Sequence, residues 1–370
     1  MSERDVLIVA ASGRALAASA RRGGFAPLVA DWFGDQDTLS VAATHQLLPR
    51  GLAHGMEPDA VLAALEELAR GRAPVGVICG TGFEDRPELL ARIAQRWRLI
   101  GNRPETITRV KDPEALAALA RDCDVQHPAI AWEEPCDPTQ WLVKRRGGSG
   151  GGHIKTAVSS RGPTHYFQRR VPGAAISALI LADGREAAVL GFSEQWCAPT
   201  AQQPFRYGGA VTPAHLAPRI TAALDGMIRR LVSAAALRGL NSIDFLVDGD
   251  DVWLLEINPR PGATLDLFEP EKGSLLAWHI AACGGSLMPA ATRYLAARAA
   301  AIVYADASIA GAPRLEWPDW TADRPQPGTA IAAGAPLCTV LAAAPASDEA
   351  KQLLVRRICT VLSWMHARAA

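Results

Sequence analysis

The sequence predicts an α/β (α+β) fold built from several sub-domains, and three observations carry that prediction. The first hundred residues alternate short apolar strands with Ala- and Leu-rich helical stretches, the rhythm of an open parallel sheet. From about Trp141 the texture turns to closely spaced strands around a glycine loop. A strand pair then follows at 241–262, NSIDFLVDGDDVWLLEINPRPG, with acids set inside hydrophobic runs. At 370 residues and 49% hydrophobic content, the chain can build two or three sizeable cores.

The elements follow in order. Residues 5–10, DVLIVA, read as a buried strand, and SGR opens an Ala-rich helix that runs to Arg22. Gly23 and Gly24 lead to a strand near 26–31. A helix near 58–70, strand VGVICG (75–80), helix 86–96 and strand RLIG (98–101) continue the alternation. GxGxxG does not follow the first strand, so a dinucleotide site is not indicated. Ser12, Gly13 and Arg14 read equally as an anion site at a helix start or as a tight turn. The same holds for Gly80-Thr81-Gly82-Phe83-Glu84, where an α/β sheet places ligand loops. Asp112-Pro113 starts a helix over 112–122. Strands in WLVK, the segment after the glycines (IKTAV), THYFQRRV, AISALILADG and EAAVLGFS precede a helix at 215–238 and the hairpin. From about 285 the chain is Ala-rich, then Pro/Gly-rich (312–336), ending in strand PLCTVLAA and helix 347–367.

Bulk properties exclude several classes. The 38 Lys+Arg balance 38 Asp+Glu, so a general electrostatic grip on nucleic acid or an acidic membrane is not expected. No apolar run approaches a membrane span, and the charged start MSERD fits no signal peptide. Seven scattered cysteines without a CxxC suit reduced thiols in a cytoplasm and speak against zinc. An oligomer is left open.

The hairpin carries the most chemistry. Asp244 lies in the run SIDFLV, DGDD (248–251) is the turn, and alternation in VWLLEIN puts Glu256 and Asn258 on one face. These three side chains converge through oxygen, the ligand type that suits Mg²⁺ held partly by nucleotide phosphates. A solvated surface hairpin is the alternative. Burying an unpaired carboxylate inside a hydrophobic strand is costly, which favours the metal.

Lys144 ends the strand WLVK, and Gly147, Gly148, Ser149, Gly150, Gly151 and Gly152 follow almost at once. Without Cβ atoms such a loop can wrap its amides around phosphate oxygens, with the lysine supplying charge. The order differs from the Walker motif, whose lysine follows its glycines. A flexible linker is the other reading, and the tight flanking strands favour a phosphate cover. YFQRRVPGAAIS (166–177) is a strand ending in a Pro-Gly turn, suited to a hinge that pairs with adenine through its backbone.

Together these residues resemble the ATP-grasp superfamily over roughly 5–340. Lys111, Lys144 with the glycine loop, Gln168 to Gly173, and Asp244/Glu256/Asn258 match its pattern in order. The resemblance implies an N-terminal open parallel sheet domain (1–105), a central lid subdomain (106–175), a catalytic Mg/ATP subdomain (176–290) and a small C-terminal β/α segment (291–370). It implies a ligase that activates a carboxylate with ATP as an acyl phosphate for attack by an amine. Lys111 and Lys144 would bind the α/β-phosphates, and the loop would close over the γ-phosphate. Gln168, Arg169, Arg170 and Val171 would line the adenine, and Asp244, Glu256 and Asn258 would hold Mg²⁺ or Mn²⁺. Arg260 and Gly262 match the positions that steady the acyl phosphate. The acid that many relatives carry after the hinge is replaced by Ala174 and Ala175, leaving Glu194 as the candidate for the ribose.

A narrower likeness rests on GTGFEDRPELL, LIGNRPETITRVKDP, PFRYGGAVTP and Asp323/Pro325/Gly328. These look like the tyramine–glutamate ligases of methanofuran-type one-carbon cofactor biosynthesis, with the loop 205–209 and Arg14 as candidate substrate contacts. An ATP-grasp carboxylase or purine-pathway-like enzyme, and a catalytically silent ATP-binding regulator, are the alternatives.

Overall fold

The computed structural model describes residues 3–49, 55–156, 162, 164–287 and 294–369. The segment boundary expected at 290/291 and the end of the expected strand IKTAV (Ala157, Val158) lie outside the described residues.

Strands β1 (Arg4–Val9), β2 (Phe25–Asp31), β3 (Thr44–Leu47) and β4 (Val77–Cys79) form a parallel sheet in the order β3-β2-β1-β4. Every residue of β2 is buried, as expected for a parallel strand covered on both faces. The strand expected at RLIG is reduced to one bridge, Leu99 to Val77. The chain leaves the sheet there because Asn102 is claimed by another part of the molecule. Its Nδ2 donates to Asn241 Oδ1 (2.6 Å) and the Pro259 carbonyl (2.9 Å), and its Oδ1 accepts from Arg238 N (2.8 Å).

Helices α1 (Arg14–Arg22), α2 (Gln36–Val41), α3 (Pro58–Ala69) and α4 (Pro87–Ala94) belong to this part of the chain. Two helices then meet at one residue: α5 (Pro104–Lys111) and α6 (Pro113–Asp122) share Asp112. Asp112 Oδ1 caps α6 by accepting from Glu114 N (3.1 Å) and Ala115 N (2.9 Å). Helix α5 is not expected from its sequence, since PETITRVK holds four β-branched residues of modest helix propensity.

A small antiparallel sheet follows: β5 (Ile130–Ala131), β6 (Trp141–Arg145), β7 (Lys155–Thr156) and β8 (His165–Arg169), in the order β5-β8-β6-β7. The remaining strands, β9 (Ala174–Asp183), β10 (Ala187–Cys197), β11 (Tyr207–Thr212), β12 (Arg238–Asp248), β13 (Asp251–Asn258), β14 (Ala297–Tyr304), β15 (Thr321–Ala322) and β16 (Pro336–Ala344), build one sheet. Its order is β13-β12-β9-β10-β11-β14-β16-β15, with every neighbour antiparallel. The C-terminal strands thus extend the same sheet.

Helix α7 (Pro218–Ala235) covers one face, setting Leu224, Ile228 and Leu231 against Ala178, Ile180, Ile243 and Ile257. Each of these large side chains contributes about 2 kcal/mol by leaving water. The opposite face packs Leu179, Leu181 and Leu240 against α1, α8 (Leu265–Phe268) and α9 (Leu275–Cys283). Helix α10 (Ser347–Ala369) covers β14 and β16 through Leu354 and Val361. Among the described residues, no helix is long and apolar enough to cross a membrane.

One junction ties three parts together. Arg14 is buried and donates to both oxygens of Asp266 (2.5 and 2.6 Å) and to Asp323 (3.2 Å), with Asp37 at 3.8 Å. Its guanidinium is therefore engaged by protein carboxylates. Beside it Asp35 is 4% exposed, and its Oδ2 has no hydrogen-bond partner among the described residues. Burial first, then the charges of Asp323, Asp31 and Asp37, push this carboxyl up to about 9 from its ordinary 3.8. The folded chain therefore keeps a proton that the unfolded chain releases, and stability is lost as pH rises through that window. Asp35→Asn should raise the melting temperature at pH 8 by a few degrees and by less at pH 5. Scanning calorimetry checks this, and an unchanged or lower value at pH 8 refutes it.

Candidate functional site

The site lies where the hairpin β12–β13, the end of α5 and the small sheet approach one another. The hairpin turns through Gly249 and Asp250, with Gly249 at φ +59°. Its register sets Asp244 opposite Glu256, and Ser242 opposite Asn258. Simple alternation would place Leu254 beside Glu256. A β-bulge at Leu255 supplies one extra residue, so Leu254 and Ile257 both enter the core while Glu256 and Asn258 face away from it.

Asn258 Nδ2 lies between the two carboxylates, donating to Asp244 Oδ2 (3.0 Å) and Glu256 Oε1 (3.2 Å). Its Oδ1 accepts from Lys111 Nζ at 2.8 Å, and the same ammonium stands 3.5 Å from Glu256 Oε2. Ser177 Oγ donates to Asp244 Oδ1 at 2.5 Å. Lys111 therefore sits with the hairpin carboxylates, carried there by the last turn of α5. Burial would raise Glu256, but Lys111 and then Lys144 outweigh it and hold the carboxyl far below its usual range. Burial and the negative charge of Glu256 push Asp244 upward. The two carboxyls are thus pushed in opposite directions, Glu256 down and Asp244 up.

The donor set fits a hard cation. Among the described residues, no group of three or more His, Cys, Asp or Glu could hold a metal unaided. Two carboxylates and an amide oxygen suit Mg²⁺ that takes its remaining ligands from phosphate and water. The amide NH₂ of Asn258 occupies the space between the carboxylates, and a half-turn of that amide presents its oxygen instead.

Lys144 and Gln168 lie on adjacent strands of the small sheet, both buried, with Nζ donating to Oε1 at 3.0 Å. Burial lowers the Lys144 ammonium pKa, and Glu256 and Asp244 oppose that shift. Strand β8 ends at Arg169. The Arg169 and Arg170 amides donate to Ala129 O (2.7 Å) and Gln140 O (2.8 Å), and both side chains are exposed. Gly173 crosses to the large sheet at φ +131°, where a Cβ would stand 2.9 Å from the Val247 backbone. Only glycine fits that crossing.

The glycine loop bridges parts of the chain far apart in sequence. A Cβ on Gly147 would meet Asp85 Cβ at 2.8 Å, and one on Gly151 would meet Phe205 O at 1.9 Å. Tyr207 N donates to Gly150 O at 3.1 Å. The loop is therefore seated against both the segment after β4 and the start of β11. Within 205–209, Arg206 stacks on Tyr304 (3.6 Å to the ring centroid) and donates to the Ala198 and Gly334 carbonyls.

Arg260 donates from Nε and Nη2 to Glu84 Oε1, each at 2.7 Å, while Glu84 Oε2 accepts from Gly82 N at 2.8 Å. Arg260 and Lys111 outweigh burial and keep Glu84 below the usual carboxylate range. At Gly262 a Cβ would lie 2.6 Å from Arg260 Nη1, so the absence of a side chain there gives the guanidinium its place. Glu194 lies elsewhere. Asp244, Ser177 and Ser193 share one face by register, and Glu194, the next residue on β10, faces the other side. There it accepts from His215 N (3.0 Å) and Lys351 Nζ (2.7 Å).

Glu84, Ser177 and His153 carry site contacts that were not picked out as site residues. Glu84 had one signal, its place in the loop after a parallel strand. Ser177 and His153 had none.

With this geometry in hand, residues 114–264 match the ATP-grasp domain family. A carbamoyl phosphate synthase large chain from Rubrobacter xylanophilus is 24% identical over 241 residues, covering 57% of this chain and 22% of that protein. The chain spans about a fifth of the length of that relative. Among solved structures, the biotin carboxylase domain of the 2-oxoglutarate carboxylase from Hydrogenobacter thermophilus, in complex with MgADP and bicarbonate, superposes with TM-score 0.72 at 13% identity. It covers 93% of this chain and 87% of that one. An L-amino acid ligase from Bacillus licheniformis superposes with TM-score 0.71 at 13% identity, covering 97% and 98%. The chain has the ATP-grasp fold.

Proposed function

We propose that this protein is an ATP-dependent carbon–nitrogen ligase that activates a small carboxylate and joins it to an amine. One observation carries the reading: Asp244, Glu256 and Asn258 face Lys111, while Lys144 and the glycine loop approach from the small sheet. MgATP would supply the phosphoryl group that turns the carboxylate into an acyl phosphate, leaving ADP and phosphate as products. In this reading Asp244, Glu256 and the Asn258 oxygen hold Mg²⁺ or Mn²⁺. Lys144 and Lys111 neutralise phosphate charge, and the amides of Gly147, Gly148, Ser149, Gly150 and Gly151 close over it. Gln168, Arg169, Arg170 and Val171 line the adenine. The Arg169 and Arg170 amides are engaged by the Ala129 and Gln140 carbonyls, which leaves the Val171 backbone as the candidate partner of the base. Arg260, oriented by Glu84, and the Gly262 amide stabilise charge on the activated carboxylate.

The finer reading takes glutamate as the acid and tyramine or tyrosine as the amine, on the sequence likeness of 80–90, 99–113 and 204–213 to such ligases. A carboxylation reaction is the second reading, favoured by the superposition on the biotin carboxylase domain bound to MgADP and bicarbonate. An assay of phosphate release from MgATP decides, offering glutamate with tyramine, a broad panel of acids and amines, and bicarbonate alone. Release that requires both an acid and an amine supports the ligase. Turnover on bicarbonate without an amine overturns it, and nucleotide binding with no release on any substrate points to a regulator. Lys144→Ala removes a buried charge from the phosphates and should weaken ATP binding about tenfold to a hundredfold, read by titration calorimetry.

A further inference from the structure

Inside the glycine loop, just after its last glycine, His153 is a half-buried ring with an unfilled polar position. Its imidazole lies against Gly148, where a Cβ would sit 2.4 Å from ring atoms Cγ and Cδ2. Nδ1 is buried and has no hydrogen-bond partner among the described residues. The ring lies in the loop assigned to the phosphates in the function proposed above, packed on Gly148, and the charges of Lys144, Glu256 and Lys111 reach it. Burial, and next Lys144, push its pKa down to about 4, so it is a neutral imidazole with a single ring N–H. A buried ring nitrogen left without a partner costs free energy that a ligand atom can recover.

We propose that His153 is a direct ligand of the terminal phosphoryl group of the bound nucleoside triphosphate, donating from Nδ1. The inference rests on the ATP reading. Gly151 and Gly150 hold the neighbouring backbone against Phe205 and Tyr207, which fixes the ring's place in the seated loop. With that loop over the phosphates this donor meets the terminal one, and a diphosphate lacks the group. His153 thus acts as a sensor of the third phosphate, distinguishing substrate nucleotide from product.

Titration calorimetry on the full chain tests this, with the Mg²⁺ complexes of ADP and of a non-hydrolysable ATP analogue. His153→Leu fills similar space without a donor, and should weaken the triphosphate about tenfold or more while leaving ADP binding unchanged. His153→Asn keeps an amide N–H near the Nδ1 position and should restore much of the triphosphate preference. His153→Gln, whose amide reaches toward the Nε2 position, should not. A Leu variant with the wild-type ratio of the two dissociation constants overturns the proposal. So does an equal loss for both nucleotides with a lowered melting temperature, which marks the ring as packing only. If the Leu variant does not fold, the Asn and Gln pair decides by the same ratio. Wild-type protein that binds neither nucleotide removes the ATP reading itself, an outcome distinct from a failure of His153.

Discussion

Glu256→Gln is expected to give a folded protein whose ATP-dependent phosphate release falls by at least about a thousandfold. The change removes one charge and almost no volume. Lys111 and Lys144 hold Glu256 far below its usual range against burial, while burial and then the charge of Glu256 push Asp244 upward. Removing it relieves part of the upward push on Asp244, whose carboxyl still lies in the field of the Lys111 ammonium, so the fold keeps its local balance. The cation loses the ligand opposite Asp244. Phosphate release with a thermal melt checks both halves of the expectation. Turnover within tenfold of wild type would remove Glu256 from the metal set. The acid side of the melt carries a second signature. A depressed carboxyl contributes stability above its unfolded pKa and loses it as pH falls, so the variant should lose less between pH 5 and pH 3.

The second large effect is expected at Gly151→Ala. A Cβ there would stand 1.9 Å from Phe205 O, at φ +74°, so the loop cannot keep its seat. Lifting it breaks the Tyr207 N to Gly150 O bond and removes the amides from the phosphates. Turnover should fall about a hundredfold, in line with loss of fixed donors from a reaction centre. The melting temperature should change little, since this lid has little buried apolar surface of its own. Gly150→Ala is the internal control: its φ is +68°, but nothing lies within 4 Å of the added carbon. It should show only the backbone strain, about 1 kcal/mol, and keep most activity. Equal losses in the two variants would mean that loop strain, and not seating against Phe205, controls turnover.

The hairpin is legible in the sequence because a two-residue turn and alternating apolar residues are local signals. The bulge at Leu255 is not, since a leucine looks the same whether it continues a strand or interrupts one. Lys144 and its glycines are readable for the same local reason. The partners of Lys111, Arg260 and Arg14 are hidden, because those bonds span 147, 176 and 309 residues of chain and depend on how separate sheets dock. Composition is silent at 297–304, where an alanine-rich run names no element yet forms β14 between β11 and β16. Edges of an existing sheet decide where composition does not.

Arg14 has a consequence for how the molecule can open. Its guanidinium is shared by acids from the segment after the hairpin and from the C-terminal strands, while its own helix belongs to the parallel sheet. Pulling those parts asunder would strand charges that are now paired out of water. Separation at this junction is therefore costly. The four-stranded sheet that bears Lys144 and the loop meets the rest elsewhere, through the chain crossing at Gly173 and the seat of the loop on Phe205 and Tyr207. Arg14 is the rivet at the base of the molecule.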